Sequence, residues 1–392
     1  MVFGLFGSNK KELTSKDYEK KILQTQGFVI DEDVFIRDIE LPESGGHIHS
    51  IEVGRGNPDK LLLIHGYGAT GVFYWKVLRQ LKDHFHIFAI DLYGKGNSSR
   101  PPFKDFSYQA TCSFFCDAIH EMTQILGFNE YSLGGHSFGG YIAVQLLRTK
   151  NPCIKRLFLI SPAGFTYKSK EEVYESLKSR GLGKFFLKMG TFVNYLIDSH
   201  KYTPFQLMNI AGKKRSIIKY YKSPRLKLKP WESYLFGNYY YLIQSMPISG
   251  DKALSVFLHY GRYSKQPLVD QLSCLKREGR LPPVSVFYGD NDWMDKDHSV
   301  EESIKRDLQI DFQFLPECGH QIVFQRPLLL ARVIAEKMGK DFIPVHVNSQ
   351  QNIQRFGIFD DTEFELENIS EENEVISEKI DGIIEPKQPV AT

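Results

Sequence analysis

The chain contains 392 residues, of which 42% are hydrophobic and 24% charged, and it carries a formal net charge of +2. This composition predicts a soluble globular protein with a large core, built as one large domain or as a domain with a substantial insertion. Because no apolar run approaches the roughly 18 residues that span a bilayer, any membrane contact is expected to be peripheral.

The cysteines bear on the compartment of the protein. There are five of them, scattered along the chain, and an odd number does not suit a disulfide framework. No charged and then apolar segment with a small-residue cleavage site opens the sequence. Both observations predict a reducing compartment and a cytoplasmic location.

Strand patterns begin after an N-terminal extension, residues 1–29. The apolar tip of that extension, Met1–Phe6, either enters a membrane interface or is an unstructured terminus. Alternating apolar residues over His49–Val53 precede the continuous apolar run Lys60–His65. Alternation indicates an antiparallel edge, and a continuous run indicates a buried parallel strand.

Helices and strands then alternate over residues 30–167 and again over 281–344. The predicted helices are Tyr74–Lys82, Gln109–Leu126, Gly139–Leu147, Ser299–Leu308 and Arg326–Met338, and the later strands are His86–Ile90, Glu130–Leu133, Ile154–Ser161, Pro283–Gly289 and Ile310–Leu315. This alternation predicts a doubly wound α/β fold with a mostly parallel sheet, whose ligands bind outside the carboxyl ends of the strands.

The stretch between these two parts, residues 168–280, is rich in helix formers and aromatic residues. It is too long for a loop and is predicted to be a helical cap inserted over the sheet. Within it, residues 168–230 hold 15 Lys and Arg against 4 Asp and Glu. Basic charge interleaved with aromatics fits docking on an anionic lipid surface, and an ordinary solvated helical face remains the alternative. Nucleic-acid binding is disfavoured, because no nucleic-acid motif accompanies the charge.

The end of the chain has the opposite charge. Residues 346–392 carry 11 acidic and 3 basic side chains, a net of −8, so residues 1–345 carry about +10. Little periodicity and few aromatics predict that residues 345–392 form an acidic, disordered tail that takes no part in the chemistry.

A Gly-x-Ser-x-Gly pattern centred on Ser137 lies between a short apolar strand and an amphipathic helix. Such a turn holds a serine in a strained, exposed position, so Ser137 is the candidate nucleophile. Gly135 and Gly139 suit the turn because side chains there would collide with the neighbouring strand and helix. The pattern also arises by chance, so the residues that accompany it decide its meaning.

A serine nucleophile needs an oriented base, and His320 is the candidate because it follows the last apolar strand, at the same edge of the sheet as Ser137. The orienting carboxylate is expected after the preceding strand, where Asp290, Asp292 and Asp295 compete. Asp292 is the preferred acid and Asp295 the alternative. The chain order Ser137, Asp292, His320 is that of an α/β-hydrolase triad.

The segment His65–Gly68 is predicted to be an oxyanion loop, in which small residues let a backbone N–H group turn inwards. The backbone N–H groups of Tyr67 and Phe138 would then hold the oxyanion. His136, beside the nucleophile, is interpreted as packed against the sheet.

Several further motifs accompany these residues. They are His65-Gly66, Asp91-Leu-Tyr-Gly94-Lys-Gly96-Asn-Ser98, Gly135-His-Ser137-Phe-Gly139, Tyr288-Gly289, Asp292-Trp293-Met294-Asp295, Gly319-His320, and in the cap Ser249-Gly250-Asp251-Lys252-Ala253-Leu254 and Gln266-Pro267-Leu268-Val269. Over roughly residues 30–340 the chain resembles the α/β-hydrolase lipid group that contains α/β-hydrolase domain proteins 4 and 5 and the fungal cardiolipin-specific deacylase.

The resemblance implies an intracellular serine esterase or acyltransferase that works on phospholipids or lysophospholipids, peripherally bound at a membrane, a mitochondrion or a lipid droplet. It implies neither a metal nor an organic cofactor, and it names no protein partner. Some members lack the nucleophile and act as lipase coactivators, so the presence of Ser137 favours catalysis.

Two features separate this chain from the group. Many members carry His-x-x-x-x-Asp, a pattern associated with lysophosphatidic acid acyltransfer, whereas this chain has Gln325 in the last position after His320. Members also differ in whether the acid stands at the Asp292 or the Asp295 position, and both are present here. The prediction is therefore a carboxylic ester hydrolase acting on phospholipid or lysophospholipid. Lysophosphatidic acid acyltransferase, small-molecule esterase and non-catalytic coactivator of a triacylglycerol lipase are the alternatives.

Overall fold

A computed structural model describes residues 12–150, 152–179, 184–200, 202–209, 213–259 and 261–359. The strands are β1 Val34–Glu40, β2 His47–Val53, β3 Lys60–Ile64, β4 His86–Ile90, β5 Tyr131–His136, β6 Ile154–Ile160, β7 Leu258–His259, β8 Tyr263–Ser264, β9 Val284–Gly289 and β10 Ile310–Leu315. The helices of the first part are α1 Ser15–Gln24, α2 Trp75–Leu81, α3 Tyr108–Ile125 and α4 Phe138–Lys150.

The remaining helices follow β6. They are α5 Lys170–Ser179, α6 Lys184–His200, α7 Pro204–Asn209, α8 Lys213–Tyr221, α9 Pro230–Ser245, α10 Leu254–Phe257, α11 Leu268–Arg277, α12 Lys296–Lys305, α13 Ile322–Gln325, α14 Pro327–Lys337 and α15 Ser349–Phe356. Short 3₁₀ helices occupy Gly71–Tyr74, Pro224–Leu226 and Gly250–Ala253.

The main sheet has the strand order β1-β2-β4-β3-β5-β6-β9-β10. Strand β2 is antiparallel to both β1 and β4, and every pairing from β4 to β10 is parallel. This confirms the predicted antiparallel edge that leads into a parallel sheet. The parallel strands read as continuous apolar runs because helices cover the sheet: α3 packs on α4, and α2 packs on α14. Their carboxyl ends share one edge, where ligands bind in such folds.

Helices make up most of the described chain between β6 and β9. Specific polar contacts join these helices to the sheet domain: Lys76 Nζ lies 2.7 Å from Glu232 Oε1 of α9, and Tyr239 of α9 donates to Thr70 Oγ1 at 2.9 Å. The described residues up to Ile358 belong to one compact unit. The boundaries at residues 168 and 280 therefore stay a prediction.

The two ends of the described chain pack beside each other. Helix α1 begins with a capping box between Thr14 and Asp17 and contacts α9 and α15. Helix α15 lies inside the segment that was predicted to be a disordered tail, and it forms because Asn348 caps its first turn and Ile353 is buried. Residues 1–11, with the apolar tip, and residues 360–392 lie outside the described part of the chain.

Candidate active site

The candidate nucleophile stands on a sharp turn between β5 and α4. Ser137 has a φ of 54°, in the left-handed region that residues other than glycine rarely adopt. A Cβ at Gly135 would collide with the backbone of Gly139, and a Cβ at Gly139 would collide with the backbone at Ile64. Close packing therefore holds the turn in its strained form, as expected for a nucleophile elbow.

Ser137, His320 and Asp292 form a continuous hydrogen-bonded chain. Ser137 Oγ lies 3.0 Å from His320 Nε2, and His320 Nδ1 lies 3.1 Å from Asp292 Oδ1. Burial favours the neutral acid, but the hydrogen bond from His320 holds the pKa of Asp292 below its usual value. The ionised carboxylate fixes the tautomer in which Nδ1 carries the proton and Nε2 accepts from the serine.

The three acidic residues after β9 have three separate sets of contacts. Asp292 binds the imidazole, whereas Asp295 Oδ2 lies 2.6 Å from Lys168 Nζ. Asp290 accepts from the backbone N–H groups of Glu317, at 3.0 Å, and Cys318, at 3.1 Å. The structure therefore brings only the preferred acid to His320, while Asp290 holds the loop that carries this histidine.

The geometry can be compared with known proteins. The family model described as alpha/beta hydrolase fold matches residues 60–327. This chain belongs to that family. Among solved structures, the chain is similar to a carboxylesterase from Bacillus subtilis, with a TM-score of 0.58 and 15% identity, over 83% of this chain and 98% of that one. At that identity the likeness shows the fold alone.

Two curated relatives illustrate the chemistry found in similar chains. A probable 1-acylglycerol-3-phosphate O-acyltransferase of Oryza sativa subsp. japonica is 28% identical over 69% of this chain and 65% of its own length, less than two thirds of that protein. A (lyso)-N-acylphosphatidylethanolamine lipase of Mus musculus is 22% identical over 82% of this chain and 90% of its own length. The α/β-hydrolase homologues thus include proteins named for lipid acyl chemistry.

The predicted oxyanion loop lies directly against the elbow. A Cβ at Gly66 would approach Ser137 Cβ to 3.1 Å, and the rings of Tyr67 and Phe138 have centroids 6.2 Å apart. His65 donates from Nδ1 to the Gly66 carbonyl at 2.8 Å and accepts at Nε2 from the Leu92 N–H group at 3.0 Å. Burial lowers the pKa of His65 to about 3, so this histidine is a neutral brace of the loop.

Two further residues hold the candidate base in position. Sequence reasoning did not assign either of them to the site. His136 Nε2 donates to the carbonyl of His320 at 2.9 Å, and burial lowers the pKa of His136 to about 3. Gln325 Oε1 accepts from the Gly319 N–H group at 2.7 Å. The sequence signal was present, since His136 adjoins the nucleophile and Gln325 follows His320 by one helical turn and a residue.

Sequence reasoning also missed a buried cation beside the predicted oxyanion loop. Lys95 Nζ lies 2.9 Å from Asp251 Oδ1, 4.4 Å from the ring centroid of Tyr67 and 5.8 Å from that of Phe138. Burial favours the neutral amine and lowers the pKa of Lys95, while Asp251 opposes that effect. The Gly94-Lys95-Gly96 motif marked the loop, but the sequence did not show that its lysine meets the cap.

Among the described residues, Glu19, His49 and Asp91 are close enough to share a metal ion. Both nitrogens of His49 already bind carboxylates, Glu19 at 2.8 Å and Asp38 at 2.6 Å. Asp91 accepts from the backbone N–H groups of Gly71 and Asn97. These contacts make the cluster a buried ionic clasp between α1 and β2. No helix in the described part of the chain is long and apolar enough to span a bilayer.

Proposed function

We propose that the protein is a serine carboxylic ester hydrolase that removes an acyl chain from a phospholipid or lysophospholipid at a membrane surface. The observation that carries the proposal is the Ser137–His320–Asp292 chain, with hydrogen bonds of 3.0 and 3.1 Å. This arrangement has the geometry that activates a serine hydroxyl for attack on a carbonyl carbon.

In the proposed mechanism, Ser137 attacks the acyl carbonyl while His320 Nε2 takes the hydroxyl proton. Asp292 stabilises the resulting imidazolium, and the backbone N–H groups of Tyr67 and Phe138 hold the negative oxygen. His320 returns the proton to the leaving alcohol, which leaves an acyl-enzyme. Water activated by His320 then attacks the acyl-enzyme and releases the fatty acid. Each step uses side chains, backbone groups and water.

Two observations support a lipid at a surface as the substrate. The relatives described above include a lipase and an acyltransferase of glycerophospholipids by name. On α6, Met189, Phe192 and Val193 are 45%, 59% and 39% exposed, and their spacing places them on one helical face. An apolar face beside the exposed Lys188 suits a peripheral protein at an anionic membrane or lipid droplet, on the cytoplasmic side.

Acyl transfer to a lysophospholipid is the second candidate, because the rice relative is named an acyltransferase. It would use the same acyl-enzyme, with a lipid hydroxyl in place of water. The group pattern has an aspartate where this chain has Gln325. Gln325 uses its amide oxygen to accept from the Gly319 N–H group at 2.7 Å, and a carboxylate oxygen is an acceptor of the same kind.

The test is fatty-acid release from vesicles of defined phospholipids and lysophospholipids by the wild type and Ser137→Ala, with and without added lysophosphatidic acid. Release that is lost in the variant supports the hydrolase. New diacyl product in place of free fatty acid supports acyl transfer. Equal inactivity of both proteins, with vesicle binding intact, refutes catalysis and supports a coactivator. Vesicle binding that 1 M salt leaves unchanged would contradict electrostatic docking, because that salt shortens the Debye length to about 3 Å.

A further inference from the structure

The alternative acid Asp295 marks a cationic site beside the triad. Its carboxylate lies 2.6 Å from Lys168 Nζ and 4.0 Å from Arg262 Nη2, and it accepts from the hydroxyl of Tyr263 at 3.3 Å. Lys168 and Arg262 are thus gathered by one carboxylate. Two cations that share one carboxylate leave one positive charge in excess within this group of three residues.

A single indole ring separates this charge from the candidate base. The guanidinium carbon of Arg262 lies 5.9 Å from the ring centroid of Trp293, and that ring lies 5.0 Å from the ring of His320. Trp293 is 48% exposed. The exposed ring of Trp293 therefore lies between the imidazole of the triad and the guanidinium of Arg262.

Arg262 is held in place by its backbone as well as by its neighbours. Its carbonyl accepts from the Gly164 N–H group at 2.7 Å, which ties the β7–β8 hairpin to the segment that follows β6. Its guanidinium also lies 4.8 Å from the ring centroid of Tyr263. A fixed backbone and flanking aromatic rings position the side chain before any ligand arrives.

The hydrogen bonds of Arg262 are incomplete. Its Nε atom is buried and has no hydrogen-bond partner among the residues that the structure describes. A buried donor without an acceptor costs free energy, and a small rotation that presents Nε and Nη to an anion recovers the missing bonds. The exposed Glu172 also lies near Lys168, and solvent screens its charge.

We propose that Arg262 and Lys168 form a subsite for the phosphate group of an anionic phospholipid, next to the ester-cleaving centre. The proposal rests on the function proposed above and narrows its substrate class. A guanidinium binds a phosphate through paired hydrogen bonds, and a lysine adds a point charge. In a glycerophospholipid the phosphate and the acyl carbonyl are joined by the glycerol backbone, which matches two neighbouring sites for the two groups.

The experiment compares two esters with the same acyl chain, oleoyl glycerol phosphate and oleoyl glycerol, in mixed micelles with a neutral detergent. In Arg262→Gln, we expect the ratio of kcat/KM for the phosphate ester over the neutral ester to fall about tenfold to a hundredfold, mainly through KM. Arg262→Lys should restore part of the ratio, and Lys168→Gln should lower it less. Arg332→Gln, which removes a half-buried arginine paired with Glu336 on α14, is the matched control and should keep the wild-type ratio.

Calorimetric binding of glycerol 3-phosphate and of inorganic phosphate gives a second readout that does not depend on turnover. Binding of glycerol 3-phosphate that disappears in Arg262→Gln supports the subsite, even if no ester is cleaved and the proposed hydrolase fails. Equal binding of inorganic phosphate with an unchanged substrate ratio overturns the lipid assignment. An unchanged ratio in both glutamine variants, with active wild type, overturns the subsite and leaves the hydrolase standing. Circular dichroism confirms that each variant is folded.

Discussion

Replacement of Asp292 by Asn separates the two acids that the sequence left in competition. The Asp292 side chain is fully buried and accepts the hydrogen bond from His320 Nδ1 at 3.1 Å. An amide keeps the shape but can donate to Nδ1, which moves the imidazole proton to Nε2 and blocks uptake of the Ser137 proton. We expect kcat to fall by about 10³–10⁴ near neutral pH, a barrier increase of about 4–5 kcal/mol.

The assay is hydrolysis of a soluble chromogenic butyrate ester, which avoids effects of membrane binding. Asp295→Asn should lose far less, within about tenfold, because Asp295 contacts Lys168 and not the imidazole. Asp311→Asn controls for the loss of one charge. Asp311 lies on β10, at the edge of the sheet, and its carboxylate is 3.0 Å from Lys337 Nζ. The reasoning is refuted if Asp295→Asn is as damaged as Asp292→Asn, or if Asp292→Asn keeps a tenth of the wild-type kcat with an unchanged melting temperature.

Three further perturbations test the packing around the site. Lys95→Met should lower kcat about tenfold to a hundredfold by freeing the loop of Tyr67, and pre-steady-state kinetics should place the loss in acylation. Gly139→Ala should destabilise the fold by about 1–3 kcal/mol or more in urea unfolding, since its Cβ meets backbone; wild-type stability would contradict this. Burial alone would lower the pKa of His49, but the negative charge of Glu19 acts in the opposite direction, and the pKa is raised to about 10. The clasp should therefore stabilise the fold fully below the unfolded pKa of about 6.5 and lose this effect as pH rises towards 10. His49→Gln should lower the free energy of unfolding by about 3–5 kcal/mol at pH 6 and make its dependence on pH weaker. A variant whose stability changes with pH in parallel with the wild type would refute the assignment.

The order of elements was predictable because the signals are local. A parallel strand buried on both faces reads as a continuous apolar run, and each run from Lys60–His65 onwards became a strand within a few residues of the prediction. Ser137 and His320 could also be picked out from the sequence, because both follow strands whose carboxyl ends meet at one edge of the sheet. What the pattern could not show was the direction of side chains in the turn after β9, where the three acids stand within six residues.

The tail shows a different limit. Composition and the lack of periodicity predicted that residues 345–392 are disordered. The capping side chain of Asn348 and the burial of one apolar side chain are nevertheless enough to form helix α15. Its Ile353 is buried, and Asn352 donates to the carbonyl of Thr25 at 3.1 Å. That partner lies at the other end of the chain, and no window of local sequence contains both groups.

The cap residues explain why the site depends on contacts that lie far apart in the sequence. Asp251 binds Lys95 beneath the rings of Tyr67 and Phe138, and Arg262 flanks Trp293 beside His320. One cap contact therefore acts on the proposed oxyanion loop, and the other acts on the proposed phosphate subsite. If both assignments hold, exchanging Asp251 should change kcat for every ester, whereas exchanging Arg262 should act chiefly on esters that carry phosphate. The cap would then contribute to rate and to substrate choice through separate residues, which a combined variant tests by the additivity of the two effects.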